Sequence, residues 1–192
     1  MLILAKPGAD VVSPLSAVLA ALGIHAATPY LSPSSNWHQS FTNPGPSLPQ
    51  VKDVLLRIGD AIQAAGLRAF TLRFDQIHGP QPHNPGDPIH WEFFTSERPK
   101  EFDAVITFVK DMQTQLGVPR ERGHRPHITC HYRAPCLLPK RRFEPIDWLI
   151  DELLLAEGRE INGRFAHEVL HRWKLQPALE SSRQSRQQSL FD

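Results

Sequence analysis

Ten histidines in a chain of 192 residues put imidazole chemistry first, and three short stretches place it where it could act. His38-Gln39-Ser40 and His127-Ile128-Thr129 each set an imidazole two residues from a hydroxyl. On a β-strand, residues i and i+2 point to the same face, so each stretch would deliver a ring and a hydroxyl into one space. Two such strands facing each other supply a proton acceptor, a proton donor and two hydroxyls for an anion held between them. In-line displacement at phosphorus needs that set: a base on the entering oxygen, an acid on the leaving one, and donors on the equatorial oxygens. The third stretch, His167-Glu168-Val169-Leu170-His171, reads as H-E-x-x-H. On a helix its histidines would share a face and hold zinc, with Glu168 as general base.

A zinc helix needs a third ligand. The 21 residues after His171 contain no histidine, and their acids are Glu180 and Asp192. Residues 156–164, Ala-Glu-Gly-Arg-Glu-Ile-Asn-Gly-Arg, carry two glycines between apolar runs, the composition of a hairpin connection. Read as a strand, Phe165, His167, Val169, His171, Trp173 and Leu175 line one face. A closing strand over 165–175 is therefore the expectation, with a zinc hydrolase built on His167, Glu168 and His171 as the alternative.

The elements that must position these residues follow from periodicity. Leu2-Ile3-Leu4 reads as a short buried strand. Ser13-Pro14 supplies an N-cap and a first helical residue, and Leu15, Val18, Leu19 and Leu22 recur at helical spacing up to Gly23. A strand is expected over 36–42 and a helix over 49–65, with Val51, Val54, Leu55, Ile58 and Ile62 on one face and Gly66 after it. Residues 69–74 alternate as a half-buried strand, and 80–88 form a Pro/Gly loop. A strand over 89–94, a helix over 99–116 and strands over 127–132 and 148–156 complete the order β-α-β-α-β-β-α-β-β-β. Strands outnumber helices without strict βαβ alternation, so the fold class is α+β.

Composition sets the bounds. With 41% hydrophobic and 21% charged residues and a net charge of +1, the chain reads as an ordinary globular protein without a global field for nucleic acid or membrane. The balance is local: Arg120, Arg122, Arg125, Arg133, Lys140, Arg141 and Arg142 face the single acid Glu121, either a phosphate-meeting patch or a solvated face. Two cysteines make neither a disulfide framework nor a four-thiolate zinc site. The five apolar residues before Lys6 are too few for a signal-peptide core, and no run is long enough to span a bilayer, so a cytoplasmic location is expected.

The two His-x-Ser/Thr stretches sit in Pro33-x-x-Asn36-x-His38-x-Ser40 and Arg125-Pro126-His127-Ile128-Thr129, 89 residues apart from His38 to His127. Over residues 1–177 the chain resembles the 2H phosphoesterase superfamily, in particular its bacterial 2′-5′ RNA ligase or RNA 2′,3′-cyclic phosphodiesterase branch. The resemblance implies a bilobal α+β domain whose two related lobes, mainly antiparallel sheet with helices outside, each bring one motif to a central cleft. It also implies a monomer that uses no metal or other cofactor. The implied activity is opening of RNA 2′,3′-cyclic phosphate ends to 2′-phosphates, in some members with reversible 2′-5′ ligation. A small cyclic nucleotide or an ADP-ribose cyclic phosphate is the alternative substrate. By the same resemblance His38 is the proton donor, His127 the proton acceptor, and Ser40 and Thr129 hold the phosphate. The chain departs from the pattern after the second motif, where Cys130-His131-Tyr132-Arg133 places arginine one residue late. A one-residue shift moves a strand side chain to the other face. That nominates His131, and Arg125 two residues before His127, for phosphate contact. The segment 178–192 reads as a polar, disordered tail. Its Gln187, Leu190 and Phe191 resemble a bacterial sliding-clamp binding pentapeptide, which makes a clamp contact a second, unrelated expectation.

Overall fold

The computed structural model describes residues 1–25, 30–82, 84–120, 125–161 and 164–178. The order is β1 (Leu2–Ala5), α1 (Ala9–Ala21), one 3₁₀ turn (Ser34–Asn36), β2 (Gln39–Ser40), α2 (Pro49–Ala64), β3 (Phe70–Gly79), β4 (Trp91–Thr95), α3 (Lys100–Gln115), β5 (His127–His131), β6 (Leu138–Ile150), β7 (Glu152–Ile161) and β8 (Arg164–Lys174). The strands form two antiparallel four-stranded sheets, ordered β2-β1-β7-β8 and β5-β4-β3-β6. The fold is α+β, as the element pattern implies. Each His-x-Ser/Thr stretch lies at the edge of a different sheet. The second edge is covered: Ser32 donates its N–H to the Cys130 carbonyl at 2.8 Å, and Leu31 bridges to His131. That pairing removes an unsatisfied strand edge and pulls the chain before His38 against β5.

Four local outcomes differ from the sequence expectation. The strand expected over 36–42 is only Gln39–Ser40, because Ser34–Asn36 wind as the 3₁₀ turn that leads into it. Helix α1 begins at Ala9 with Gly8 as its cap, so Pro14 lies inside it rather than at its first position. Val11, Leu15 and Leu19 are all buried, and that stripe begins a turn before Pro14. Its burial outweighs the one ladder bond a proline forfeits. Strand β6 was not anticipated, because Pro139, Pro145 and Lys140-Arg141-Arg142 disguise it; it pairs along β3 as the outer strand of its sheet, where prolines and charges are tolerated. The single strand expected over 148–156 is two: Ile150 ends β6 opposite Phe70, Asp151 turns, and Glu152 starts β7 opposite Lys174.

The remaining helix ends follow the glycines, with Gly23, Gly66 and Gly117 at φ +74°, +66° and +68° after α1, α2 and α3. The H-E-x-x-H stretch is strand, antiparallel to β7, as the two-residue period implies. One buried cluster joins both sheets and all three helices, running from Ile3, Leu15 and Trp37 through Phe70, Phe93 and Phe102 to Trp173. Among the described residues no helix is long and apolar enough to cross a membrane. The clamp-like residues Gln187, Leu190 and Phe191 lie outside the described residues.

Candidate active site

A pocket opens beside His38 on the first sheet and a groove beside Arg125 on the second. On the first, Leu4 pairs with Ser40, so Ser40 lies on the face of Leu2, Leu4, Leu154, Ala156 and Val169, a small apolar floor; His38, just before β2, lines the same pocket as Leu2 and His167. Gln39 points the other way, into the core, and is fully buried. On the second sheet, Phe94 pairs with His127 and Glu92 with Thr129, which puts both members of that motif on the cleft face beside His78. The side-chain amide of Gln39 joins the two edges. It accepts the His127 N–H at 2.7 Å and donates to the Ser40 carbonyl at 2.7 Å, fixing the two motifs relative to each other.

The two histidines are held alike. Nδ1 of His38 meets the Asn36 carbonyl at 2.7 Å, and Nδ1 of His127 meets the Arg125 carbonyl at 2.9 Å. A carbonyl two residues upstream can only accept, so it holds each ring with its proton on Nδ1 and leaves Nε2 for the reacting group. Burial pushes the His38 imidazole below its ordinary pKa, against the opposing pull of the Asn36 carbonyl, and charge on His127 lowers it further. Both rings therefore act within one electrostatic field.

A third ring joins them. His167 on β8 packs edge-on against His38 with ring centroids 4.7 Å apart. Its Nδ1 is buried without a partner among the described residues. Burial, followed by the charges of His38 and Lys6, pushes His167 down to about 4. Below the ordinary value of 6.5 the unfolded chain binds a proton that the folded chain refuses, so stability is complete above pH 6.5 and falls as pH drops toward 4. We expect His167→Phe, which keeps the ring, to shrink the loss of melting temperature between pH 7 and pH 5. An unchanged loss would refute the assignment.

The bulges explain which nominated residues fail to meet. Leu155 pairs with His171 and Ala156 with Val169, so Leu170 is an extra residue and the faces exchange there. Phe165, His167 and Val169 face the cleft, whereas His171 lies with Trp173 on the helix side. The expected single face over 165–175 is thus broken, and His167 and His171 cannot share a metal. Among the described residues no three His, Cys, Asp or Glu side chains gather closely enough to hold an ion. The same device acts on β5, where Trp91 pairs with His131 and Glu92 with Thr129, leaving Cys130 extra. His131 is therefore fully buried against Trp91, ring centroids 5.2 Å apart, on the face away from His127. The expectation that His131 would share the phosphate site fails for that reason.

Arg125 does reach the cleft. Its guanidinium lies 4.3 Å above the Phe94 ring, which is 6.1 Å from the ring of His127. It borders a groove of about 350 Å³ shared with Gln76, His78, Arg98 and Lys140. On the His38 side opens a larger pocket of about 1080 Å³, walled by Tyr30, Leu31, Asn36, Phe165 and His167. The edge of the Phe165 ring comes against Gly158, where a Cβ would stand 2.7 Å from it. Thr129 gives its hydroxyl proton to Glu92 at 3.0 Å, and the same Glu92 oxygen is 3.8 Å from His127 Nε2.

Sequence reasoning missed Gln39, Lys6, Glu92 and His167 as parts of this site. Lys6 is next after β1 in the alternation of Leu2 and Leu4, and its charge acts on His38 and His167. Only the alternation past Leu4 pointed to Lys6. The others depend on pairings across more than thirty residues, which no local spacing encodes.

The sequence matches no protein-family model and no curated protein. Solved structures share its fold. Escherichia coli LigT complexed with 3′-AMP superposes with a TM-score of 0.68 at 17% identity, covering 91% of this chain and 96% of that one. TT0787 of Thermus thermophilus gives 0.69 at 16% identity, covering 92% and 97%. A phosphoesterase gives 0.67 at 18% identity, covering 91% and 97%. LigT has also been solved with ATP, with NADP+ and with phosphate.

Proposed function

We propose that the chain is a 2H-type phosphodiesterase that opens RNA 2′,3′-cyclic phosphate ends to 2′-phosphates. The observation that carries this reading is the matched pair of imidazoles, one beside each sheet edge, each anchored through Nδ1 to the carbonyl two residues before it, with charge on His127 acting on His38. Two such rings perform acid and base catalysis on opposite sides of a phosphorus atom. His127 takes the proton of the entering water, and His38 gives a proton to the departing 3′-oxygen. Ser40, Thr129 and Arg125 contact the phosphate oxygens, and Lys6 adds positive charge beside His38. In the free protein Thr129 spends its one proton on Glu92, so it serves the phosphate after that bond is exchanged. The nucleotide and phosphate complexes of LigT, which has the same fold, accord with a nucleotide phosphate in this cleft.

The cleft has space on both sides of the histidine pair, the aromatic pocket beside His38 and the basic groove beside Arg125. A substrate that continues in both directions, an RNA end, fits this better than a cyclic mononucleotide or an ADP-ribose cyclic phosphate. Initial rates on all three classes, in the presence of EDTA, test the reading. We expect the oligonucleotide end to be turned over with the highest kcat/KM and chelator to leave it unchanged. Turnover of none of the three, or loss of activity in EDTA, would refute it.

A further inference from the structure

Glu92 is an unexpected occupant of a cleft meant for an anion. Its carboxylate is largely buried, with 13% side-chain exposure, on the face of His127 and Thr129. It repels a phosphate, so its presence there needs a use. The distances suggest one. At 3.8 Å, Glu92 Oε1 and His127 Nε2 are too far apart for a direct hydrogen bond. They are well spaced for one water that donates a hydrogen to each, at about 2.8 Å apiece. Such a water is left with its lone pairs turned outward, toward the phosphorus.

We propose that Glu92 is a further catalytic residue that holds the attacking water together with His127 and so commits the cleft to hydrolysis rather than transfer to an alcohol. The inference rests on the reading of His127 as the base. In the step, the water oxygen bonds to phosphorus and gives one proton to His127 Nε2. The bond from phosphorus to the 3′-oxygen breaks, and His38 protonates that oxygen. The second water proton stays on the entering oxygen, hydrogen-bonded to Glu92, and leaves with the phosphate monoester. The carboxylate also faces the imidazolium that forms on His127. An alcohol has a single proton to give, so it satisfies His127 and leaves Glu92, which already accepts from Thr129, without the second hydrogen bond that water supplies. Water satisfies both.

Glu92→Ala and Glu92→Gln test this in the intact chain, with a 2′,3′-cyclic phosphate substrate in water and in water–methanol mixtures. Hydrolysis by Glu92→Ala is expected to fall about tenfold or more. The ratio of methyl ester to free monoester product should rise severalfold, and inorganic phosphate should inhibit more tightly because the repelling charge is gone. Glu92→Gln, whose amide still accepts from Thr129 and from water, should fall between Ala and wild type and guards against a folding defect. Unchanged hydrolysis, or an unchanged product ratio with weaker phosphate binding, would overturn the proposal. His127→Ala separates the two levels. Inactive His127→Ala beside wild-type behaviour in both Glu92 variants removes only the role of Glu92, whereas active His127→Ala removes the reading beneath it.

Discussion

Turnover of a 2′,3′-cyclic phosphate by His127→Ala is expected to fall by about 10²–10⁴-fold, and by His38→Ala to a similar extent, the usual worth of one positioned acid or base. The two losses should not add, because each ring acts only while the other completes the proton balance. The double variant should fall little below the worse single one. Both positions should tolerate alanine: each ring's hydrogen bond is to a backbone carbonyl, which water can satisfy once the ring is gone. A melting temperature close to that of wild type is therefore part of the expectation, and it separates lost chemistry from lost fold. The pH profile adds a second signature. Because burial lowers the His38 pKa, the acid form is lost as pH rises through a value below the ordinary 6.5. The basic limb of kcat/KM should lie correspondingly low. Full activity in either variant would dismantle the mechanism.

The largest stability effect is expected at Trp173, remote from the chemistry. Its ring is fully buried and lies directly over Gly59 of α2, where any Cβ would fall inside it. The indole N–H donates to Asp60 Oδ1 at 2.8 Å. Helix α2 is thus seated on β8 by one side chain that needs both a glycine beneath it and an acceptor beside it. Trp173→Ala should lower unfolding free energy by about 3–5 kcal/mol, the range for emptying a large aromatic site in a core. Gly59→Ala should destabilise by about 1–3 kcal/mol through overpacking. Chemical denaturation monitored by circular dichroism measures both. A midpoint within error of wild type for Trp173→Ala would show that α2 is held by something else.

How the site was readable in the sequence, and where it was not, turns on locality. His127 and Thr129 were legible as a pair because a strand carries i and i+2 to one face, and β5 places both opposite Phe94 and Glu92 on one face; His38 lies before the two-residue β2, where that rule does not reach it. The strand nature of H-E-x-x-H was legible for the same reason. What defeated the two-residue period was a single inserted residue in each case. Cys130 turns His131 into the core, and Leu170 turns His171 away from His167. A bulge has no composition of its own, so alternation was carried straight through both positions. Strand β6 was hidden by prolines and charges that an outer strand accepts. Gln39 shows the other limit. It sits between His38 and Ser40 with no local signal of its role, whereas its amide ties positions 88 residues apart.

The central claim is that two histidines open a cyclic phosphate by protonating the 3′-oxygen and activating water. The most direct measurement is ³¹P NMR of an oligoribonucleotide ending in a 2′,3′-cyclic phosphate, incubated in EDTA with wild type and with His38→Ala. Wild type is expected to convert it completely to the 2′-phosphate monoester, while with His38→Ala the cyclic phosphate persists over the same time. No conversion by wild type, a 3′-phosphate product, or equal conversion by His38→Ala would contradict it.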